Sequence, residues 1–141
     1  MADFVAMISR FNQELIITNE YVHNEERKQG WNWMQLTLQI DDKTQIIEIP
    51  KNILQEANDF FKMMDRDMDR GWQMSREWVE YPNLIQRCQI AADKMLSAIH
   101  SENETLMLLM AGYIVSRLPD VTGVKVDTDG EMMETELTTN S

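Results

Sequence analysis

The sequence has few of the residues on which disulfide frameworks and transition-metal sites depend. It contains one cysteine, Cys88, and two histidines. A single cysteine excludes an intramolecular disulfide, and it favours a reducing compartment such as the cytoplasm. Two histidines and one thiol are few ligands for a metal, so we expect no metal site. The helical neighbours of Cys88 are apolar (Leu84, Ala91 and Ala92), which predicts a buried, unreactive thiol.

Long apolar runs and leader signals are also absent. The longest apolar stretch, residues 106–115, has ten residues, whereas a membrane span needs about 20. The first ten residues contain Asp3 and Arg10 and no basic leader, so they do not resemble a secretory signal. We therefore expect a cytoplasmic protein that makes no contact with membranes.

Positive charge is scarce. The chain has 13 Lys and Arg against 24 Asp and Glu, a formal net charge of −11 at pH 7. This balance disfavours direct binding to nucleic acid, because neutralised phosphates supply most of the non-specific affinity. The common hydrolase, zinc-protease and nucleotide-binding motifs do not occur in the sequence either. We therefore expect no cofactor.

The length fits one folded domain, which we place at residues 1–137 with a frayed tail at 138–141. Apolar residues make up 43% of the chain and charged residues 26%, as in ordinary globular proteins. The order of the predicted elements indicates an α+β fold. It comprises an N-terminal antiparallel β-hairpin or meander, a three-helix core and a C-terminal β-hairpin that could join the same sheet.

The N-terminal hairpin is predicted from an alternating pattern. Apolar side chains occupy every second position of residues 34–40, and residues 44–49 are rich in β-branched side chains. Residues 41–43 supply the turn, and Pro50 ends the second strand. Residues 4–18 fit either a helix or a first strand, so the hairpin and the meander both stay open.

The first predicted helix is long and has a weak point. Asn52 and Gln55 have the spacing of a capping box, which marks a helix start. We expect a kink or a break at Gly71, because a glycine within a helix costs about 1 kcal/mol relative to alanine. An apolar stripe at spacings of three or four runs toward Pro82, with Trp78 continuing it: Ile53, Ala57, Phe60, Met64, Met68 and Trp72.

Two further helices follow. Residues 84–99 carry the clearest helical pattern, and Ser101 with Glu104 has a second capping-box spacing, for a helix that ends near Leu118. This last helix is apolar nearly all round. Such a helix belongs at the centre of a fold or at an oligomer contact, so residues 105–118 are a candidate homo-oligomer surface.

A second hairpin is predicted at the C-terminus. Residues 121–126 and 132–137 flank an Asp-Thr-Asp-Gly turn, in which Gly130 takes the left-handed conformation. The acidic positions partly match a calcium-binding loop, but Lys125 occupies the position of the first ligand. We therefore interpret the segment as a plain turn.

The segment from Asp65 to Arg76 is the candidate binding region. It is either a solvated helix face with short-range ion pairs or a recognition surface, because arginine and tryptophan are enriched at interface hot spots. Trp31 and Trp33 share one face of their strand, where they are either core residues or a docking platform. We assign no catalytic residue and no metal ligand. The remaining candidate binding residues are Asp65, Arg66, Asp69, Arg70, Trp72 and Arg76.

Two functions fit these observations. The first is a small acidic interaction protein, a regulatory or accessory protein that docks on a larger, basic protein partner and has no catalytic activity of its own. The alternative is a ligand-binding or enzymatic domain that uses the carboxylates and arginines of residues 65–80, because general acid–base catalysis needs only two well-placed carboxylates. The absence of catalytic motifs favours the first.

Overall fold

The structure, a computed structural model, describes residues 33–140, without the side chain of Trp33. These residues form four α-helices, a four-stranded sheet and a two-stranded sheet, so the predicted α+β class is confirmed. The predicted helix or strand at residues 4–18 lies outside the described residues. In chain order the elements are β1 (Trp33–Ile40), β2 (Lys43–Pro50), α1 (Lys51–Glu56), α2 (Asn58–Asp69), β3 (Trp72–Met74), β4 (Glu77–Val79), α3 (Leu84–His100), α4 (Glu104–Arg117), β5 (Val121–Val126) and β6 (Glu136–Thr139).

The two predicted hairpins share one sheet, whose strand order is β2-β1-β5-β6. β1 pairs with β2 in antiparallel orientation and with β5 in parallel orientation. Between β2 and β5 the chain passes through the four described α-helices. The alternation predicted for β1 is confirmed, since Leu36 and Leu38 are buried and Thr37 between them is exposed. Leu36 lies opposite Ile47, and Leu38 lies opposite Val124, so the apolar side chains form one buried face.

The predicted start of the first helix is wrong. The helix begins at Lys51, directly after Pro50, and no side chain caps it. The capping box predicted at Asn52 and Gln55 is therefore absent. Pro50 has an extended backbone, with φ −65° and ψ 132°, and it lacks an N–H group, so it ends β2 and leads into α1 without a side-chain cap. A turn at Ala57 then separates α1 from α2.

The predicted break near Gly71 is confirmed, but the helix does not resume beyond it. α2 ends at Asp69, and Gly71 has a φ of +101°, which favours glycine. Trp72 and Trp78 lie in the short antiparallel strands β3 and β4, so their assignment to the helical stripe is wrong. Trp72 follows Met68 by four positions, which is a helical spacing whether or not the helix continues, so the apolar pattern did not reveal the helix end.

The second predicted helix is confirmed as α3, and a capping box fixes its start. Asn83 Oδ1 accepts the N–H of Gln86, and Gln86 Oε1 accepts the N–H of Asn83. The capping box predicted at Ser101 and Glu104 is wrong. Ser101 still belongs to the end of α3, because its N–H bonds to a carbonyl of that helix, and Asn103 caps α4 instead.

α4 lies at the centre of the fold, as its apolar composition predicts. Residues 109–115 are all buried. Gly112 packs closely on its neighbours, since a Cβ atom at this position would lie 3.2 Å from the side chains of Leu54 and Phe61. The apolar composition of α4 is thus accounted for by burial within the fold. The homo-oligomer surface at residues 105–118 stays a prediction.

The C-terminal hairpin is confirmed, with a shifted second strand. β6 follows a 3-10 turn at Met132–Glu134, so it begins at Glu136 rather than Met132, and it also includes Thr138 and Thr139 of the predicted tail. The turn before it has the predicted left-handed glycine, because Gly130 has a φ of +85°. The neighbouring Asp127 carboxylate accepts two backbone N–H groups, which is the ordinary chemistry of a turn.

Candidate functional site

The predicted binding residues of the 65–76 segment separate into three groups. Asp65 and Asp69 make ion pairs with arginines of other helices, and Trp72 lines a cavity. The other three are exposed and make no ion pair within residues 33–140: Arg66, Arg70 and Arg76.

Asp65 is the centre of an ion-pair cluster that joins three helices. Its Oδ2 lies 2.9 Å from Nε and 2.8 Å from Nη2 of Arg117 on α4. Its Oδ1 accepts the hydroxyl of Tyr113 at 2.5 Å and lies 3.4 Å from Nη1 of Arg87 on α3. Arg87 Nη2 donates to Oδ1 of Asp69 at 2.7 Å. These contacts hold the C-terminal half of α2 against both α3 and α4, rather than forming the ion pairs within α2 that a solvated helix face implies.

The ion-pair cluster is balanced in charge, and Asp65 is saturated with donors. Three guanidinium nitrogens and one hydroxyl occupy its two oxygens, which accept about four hydrogen bonds. Burial by itself raises the pKa of Asp65, but the hydrogen bonds from Tyr113, Arg117 and Arg87 and the charge of Arg117 outweigh it, so the pKa is lowered. A carboxylate with a lowered pKa and no open acceptor position is a poor general base. The geometry therefore favours a structural role for Asp65.

Cys88 lies on α3 and is buried, as predicted. Burial raises the pKa of its thiol to about 12. The thiol is therefore protonated near neutral pH, whereas a nucleophilic cysteine needs the thiolate.

A second feature is a group of exposed apolar side chains that lie close together in sequence, from β4 to the first turn of α3. Five large hydrophobic side chains of the described residues are strongly exposed, and four of them lie between positions 78 and 85. The fifth, Ile46 on β2, is 61% exposed. Several exposed apolar side chains close together in the chain indicate an interaction site more strongly than a single one does. We name the four the hairpin surface: Trp78 (56% exposed), Tyr81 (68%), Leu84 (45%) and Ile85 (45%).

The two aromatic rings of the hairpin surface rest on fixed neighbours. The indole of Trp78 contacts the backbone of Gly71, where an added Cβ atom would lie 2.4 Å from Cζ2 of the ring. The guanidinium carbon of Arg87 lies 4.9 Å from the centre of the Tyr81 ring, which is a cation–π contact. Because Arg87 also belongs to the ion-pair cluster, the cluster holds one side of the hairpin surface in place.

A third feature is a cavity of about 650 Å³ with walls from α2, β3, α3 and α4. Its volume lies within the range of small-molecule sites, about 300–1,000 Å³. The lining is mainly apolar and rich in methionine, whose flexible side chains fit varied shapes. We name it the methionine cavity, and its methionine and aromatic lining is Phe60, Met63, Met64, Met68, Trp72 and Met110.

The charged groups of the methionine cavity are two carboxylates and one ammonium, from Asp67, Asp93 and Lys94. Lys94 Nζ lies 4.8 Å from the centre of the Trp72 ring, a cation–π contact. Burial raises the pKa of Asp93, and the opposing charge of Lys94 does not cancel that effect. A further cation in the cavity would therefore stabilise the charged form of Asp93.

The sequence identifies the acidic half of the ion-pair cluster and misses the basic half. Arg87 and Arg117 lie 22 and 52 positions from Asp65, beyond any helical spacing. One signal was available, because Arg87 lies four positions before the buried Ala91 on a largely apolar helix. A guanidinium on such a face needs a carboxylate partner, and the sequence offers Asp65 and Asp69 as candidates.

The sequence pattern does not reveal the hairpin surface, because it places Trp78 on a helical stripe, which implies burial. The other aromatic pair, Trp31 and Trp33, stays a prediction, because Trp31 and the Trp33 side chain lie outside the described residues.

No protein family, curated protein or solved structure matches this chain. Within residues 33–140, no cluster of three or more potential metal ligands is found, and no helix is long and apolar enough to cross a membrane.

Proposed function

We propose that this chain is a small acidic cytoplasmic interaction protein that docks on a larger, basic protein through the hairpin surface and catalyses no reaction itself. The observation that carries the proposal is the concentration of exposed apolar side chains between Trp78 and Ile85. A single exposed hydrophobic residue needs no explanation, and Ile46 is such a residue. Four lie within eight positions, and two of them, Trp78 and Tyr81, are residue types that are enriched at interface hot spots.

The hairpin surface is also suited to docking because it is held in place before a partner arrives. Gly71 supports Trp78, Arg87 supports Tyr81, and the capping box at Asn83 fixes the start of the helix that carries the rest. Side chains that are already ordered lose less conformational entropy on binding, so more of the contact energy appears as affinity.

Charge supports the choice of a basic partner. The chain carries a net charge of −11, which attracts a basic protein over long distances and accelerates encounter at low salt. Exposed charges of both signs occur in the same part of the sequence as the hairpin surface, and the rims of interfaces are usually polar. The charged residues are Arg70, Arg76, Glu77 and Glu80.

Site-specific photo-crosslinking tests the proposal. A photoreactive phenylalanine analogue replaces Tyr81 in one variant and Ile46 in a matched control, since both side chains are strongly exposed. In cells of the source organism, we expect the Tyr81 variant to crosslink to one larger basic protein and the Ile46 variant not to do so. Adding Trp78→Ala should reduce the yield by about tenfold or more, as expected for a hot-spot tryptophan.

Three outcomes would contradict this function. Crosslinking of the same protein from both positions would show that contact is non-specific. Crosslinking only to a second copy of this chain would show that the chain docks on itself as a homodimer and not on a larger partner. Finally, the crosslinking yield of the purified pair should fall as the salt concentration rises. A constant yield would contradict the role of charge in choosing the partner.

A further inference from the structure

We propose that the methionine cavity is a ligand site for an amphiphilic organic cation, a molecule with an apolar body and one amine or quaternary ammonium group. The cavity shares no residue with the hairpin surface, so this inference stands whether or not the docking proposal holds.

The size and lining of the cavity match the apolar body of such a ligand. About 650 Å³ accommodates a drug-sized molecule, and the interior wall comes mainly from methionine and aromatic side chains. Methionine has three rotatable side-chain bonds and a polarisable sulfur, so it adjusts to ligands of different shape. The apolar wall therefore selects for hydrophobicity and volume more than for one particular structure.

The charged groups decide the sign of the ligand's head group. The two carboxylates of Asp67 and Asp93 outnumber the one ammonium of Lys94, so a cation is attracted and an anion is repelled. The face of the Trp72 indole already attracts one cation, as the position of Lys94 Nζ shows. Lys94 has a flexible four-carbon stem, so it can move into solvent when a ligand cation takes its place on the ring.

A matched series of probes tests both parts of the proposal. Decyltrimethylammonium, decanol and decanoate share a ten-carbon chain and differ in charge. The two ionic probes are titrated into the full chain below their micelle concentrations, and decanol is titrated below its solubility limit. We expect calorimetry to show the cation binding about tenfold more tightly than decanoate, with decanol between them. Methyl NMR of labelled methionines locates the site, and the largest shifts should fall on Met63, Met64, Met68 and Met110.

Two variants with the same change in net charge separate the site from the overall charge. Asp93→Asn removes a carboxylate of the cavity, and Asp120→Asn removes an exposed carboxylate that does not line it. We expect the first to weaken decyltrimethylammonium about fivefold, the scale of one partly screened ion pair, and the second to leave it unchanged. Ser97→Trp, at an exposed position on the cavity lining, should block the cation and the alcohol alike.

The proposal is overturned if no probe binds at submillimolar concentration, or if the shifted methionines are others than the four named. Equal affinities for decyltrimethylammonium and decanoate, or equal losses in Asp93→Asn and Asp120→Asn, overturn the assignment to a cation. Retained binding in a folded Ser97→Trp variant removes the cavity as the site. The NMR result on the unmodified chain decides the location even if that variant does not fold.

Discussion

The hairpin surface and the methionine cavity are both apolar, but they are formed by different kinds of side chain. In the hairpin surface, aromatic rings rest on fixed supports, the backbone of Gly71 and the guanidinium of Arg87. In the cavity, four unbranched methionine side chains are the most frequent residue type of the wall. Rigid aromatic groups favour one complementary partner, whereas flexible methionines favour a class of ligands. Under the two proposals, the rigid region would serve specific docking and the flexible region would serve adaptable binding.

One helix contributes to both regions. Asp65 and Asp69 on α2 bind Arg87, which supports the hairpin surface. Met64 and Met68, each one position earlier, line the cavity. Successive residues of a helix point about 100° apart, so neighbouring faces of α2 serve the two regions. Variants on these faces can therefore change one region at a time.

The largest expected effect is on the support of the hairpin surface. Arg87→Ala removes donors to Asp65, to Asp69 and to the carbonyl of Pro82, and it leaves Asp65 with one guanidinium fewer. We expect the free energy of unfolding, measured by urea denaturation, to fall by about 2–3 kcal/mol. This is less than for a fully buried ion pair, because the side chains of Asp65 and Asp69 keep 28% and 44% of their surface exposed. The exposed control Arg76→Ala should change it by less than about 0.5 kcal/mol. Similar losses in the two variants would mean that the cluster contributes little.

A second test concerns the contact between Gly71 and Trp78. Gly71 and Gly130 both have positive φ, so alanine is strained by about 1 kcal/mol at either position. Only at Gly71 would the new methyl group also collide with Trp78, because nothing lies within 4 Å of the corresponding position at Gly130. We expect Gly71→Ala to cost about 2 kcal/mol or more in urea denaturation, and Gly130→Ala about 1 kcal/mol. Equal costs would show that the indole moves aside freely and is not held.

The parts of the fold that the sequence predicts are those decided by local patterns. The alternation of β1, the apolar face of α3 and the turn at Gly130 each follow from residues within a few positions of one another. The parallel pairing of β1 with β5 does not, because Leu38 and Val124 are far apart in the chain. The end of α2 was also ambiguous, since Trp72 keeps the helical spacing from Met68 beyond the last helical residue.

The functional regions were less predictable than the fold for the same reason. The ion-pair cluster joins residues 18 to 52 positions apart, so only its acidic members stood out in one segment. The hairpin surface depends on the exposure of Trp78, and exposure depends on where α2 ends. The methionine cavity is the space between helices, and no sequence spacing encodes that space directly.

A third and smaller effect depends on pH. Because the folded state lowers the pKa of Asp65, its charged form contributes stability above the unfolded pKa of about 3.9, and this contribution is lost as the pH falls below it. In Asp65→Asn, the side chain at this position does not change charge with pH. We expect the difference in unfolding free energy between wild type and Asp65→Asn to shrink by about 1 kcal/mol, the scale of one hydrogen bond, between pH 5 and pH 2. A constant difference across that range would contradict the assignment, and Asp120→Asn serves as the exposed control.

The smallest expected effect tests the cavity side of the comparison. Met68→Leu replaces a flexible side chain by a branched one of similar volume, so the free energy of unfolding should fall by less than about 1 kcal/mol. Calorimetry should show that affinity for decyltrimethylammonium changes by about twofold at most, because the remaining methionines adjust to the ligand. Trp78→Leu in the hairpin surface should, in contrast, reduce crosslinking from position 81 by about tenfold. If Met68→Leu instead abolishes ligand binding, the cavity is as specific in shape as the hairpin surface, and the contrast between a rigid and an adaptable region is wrong.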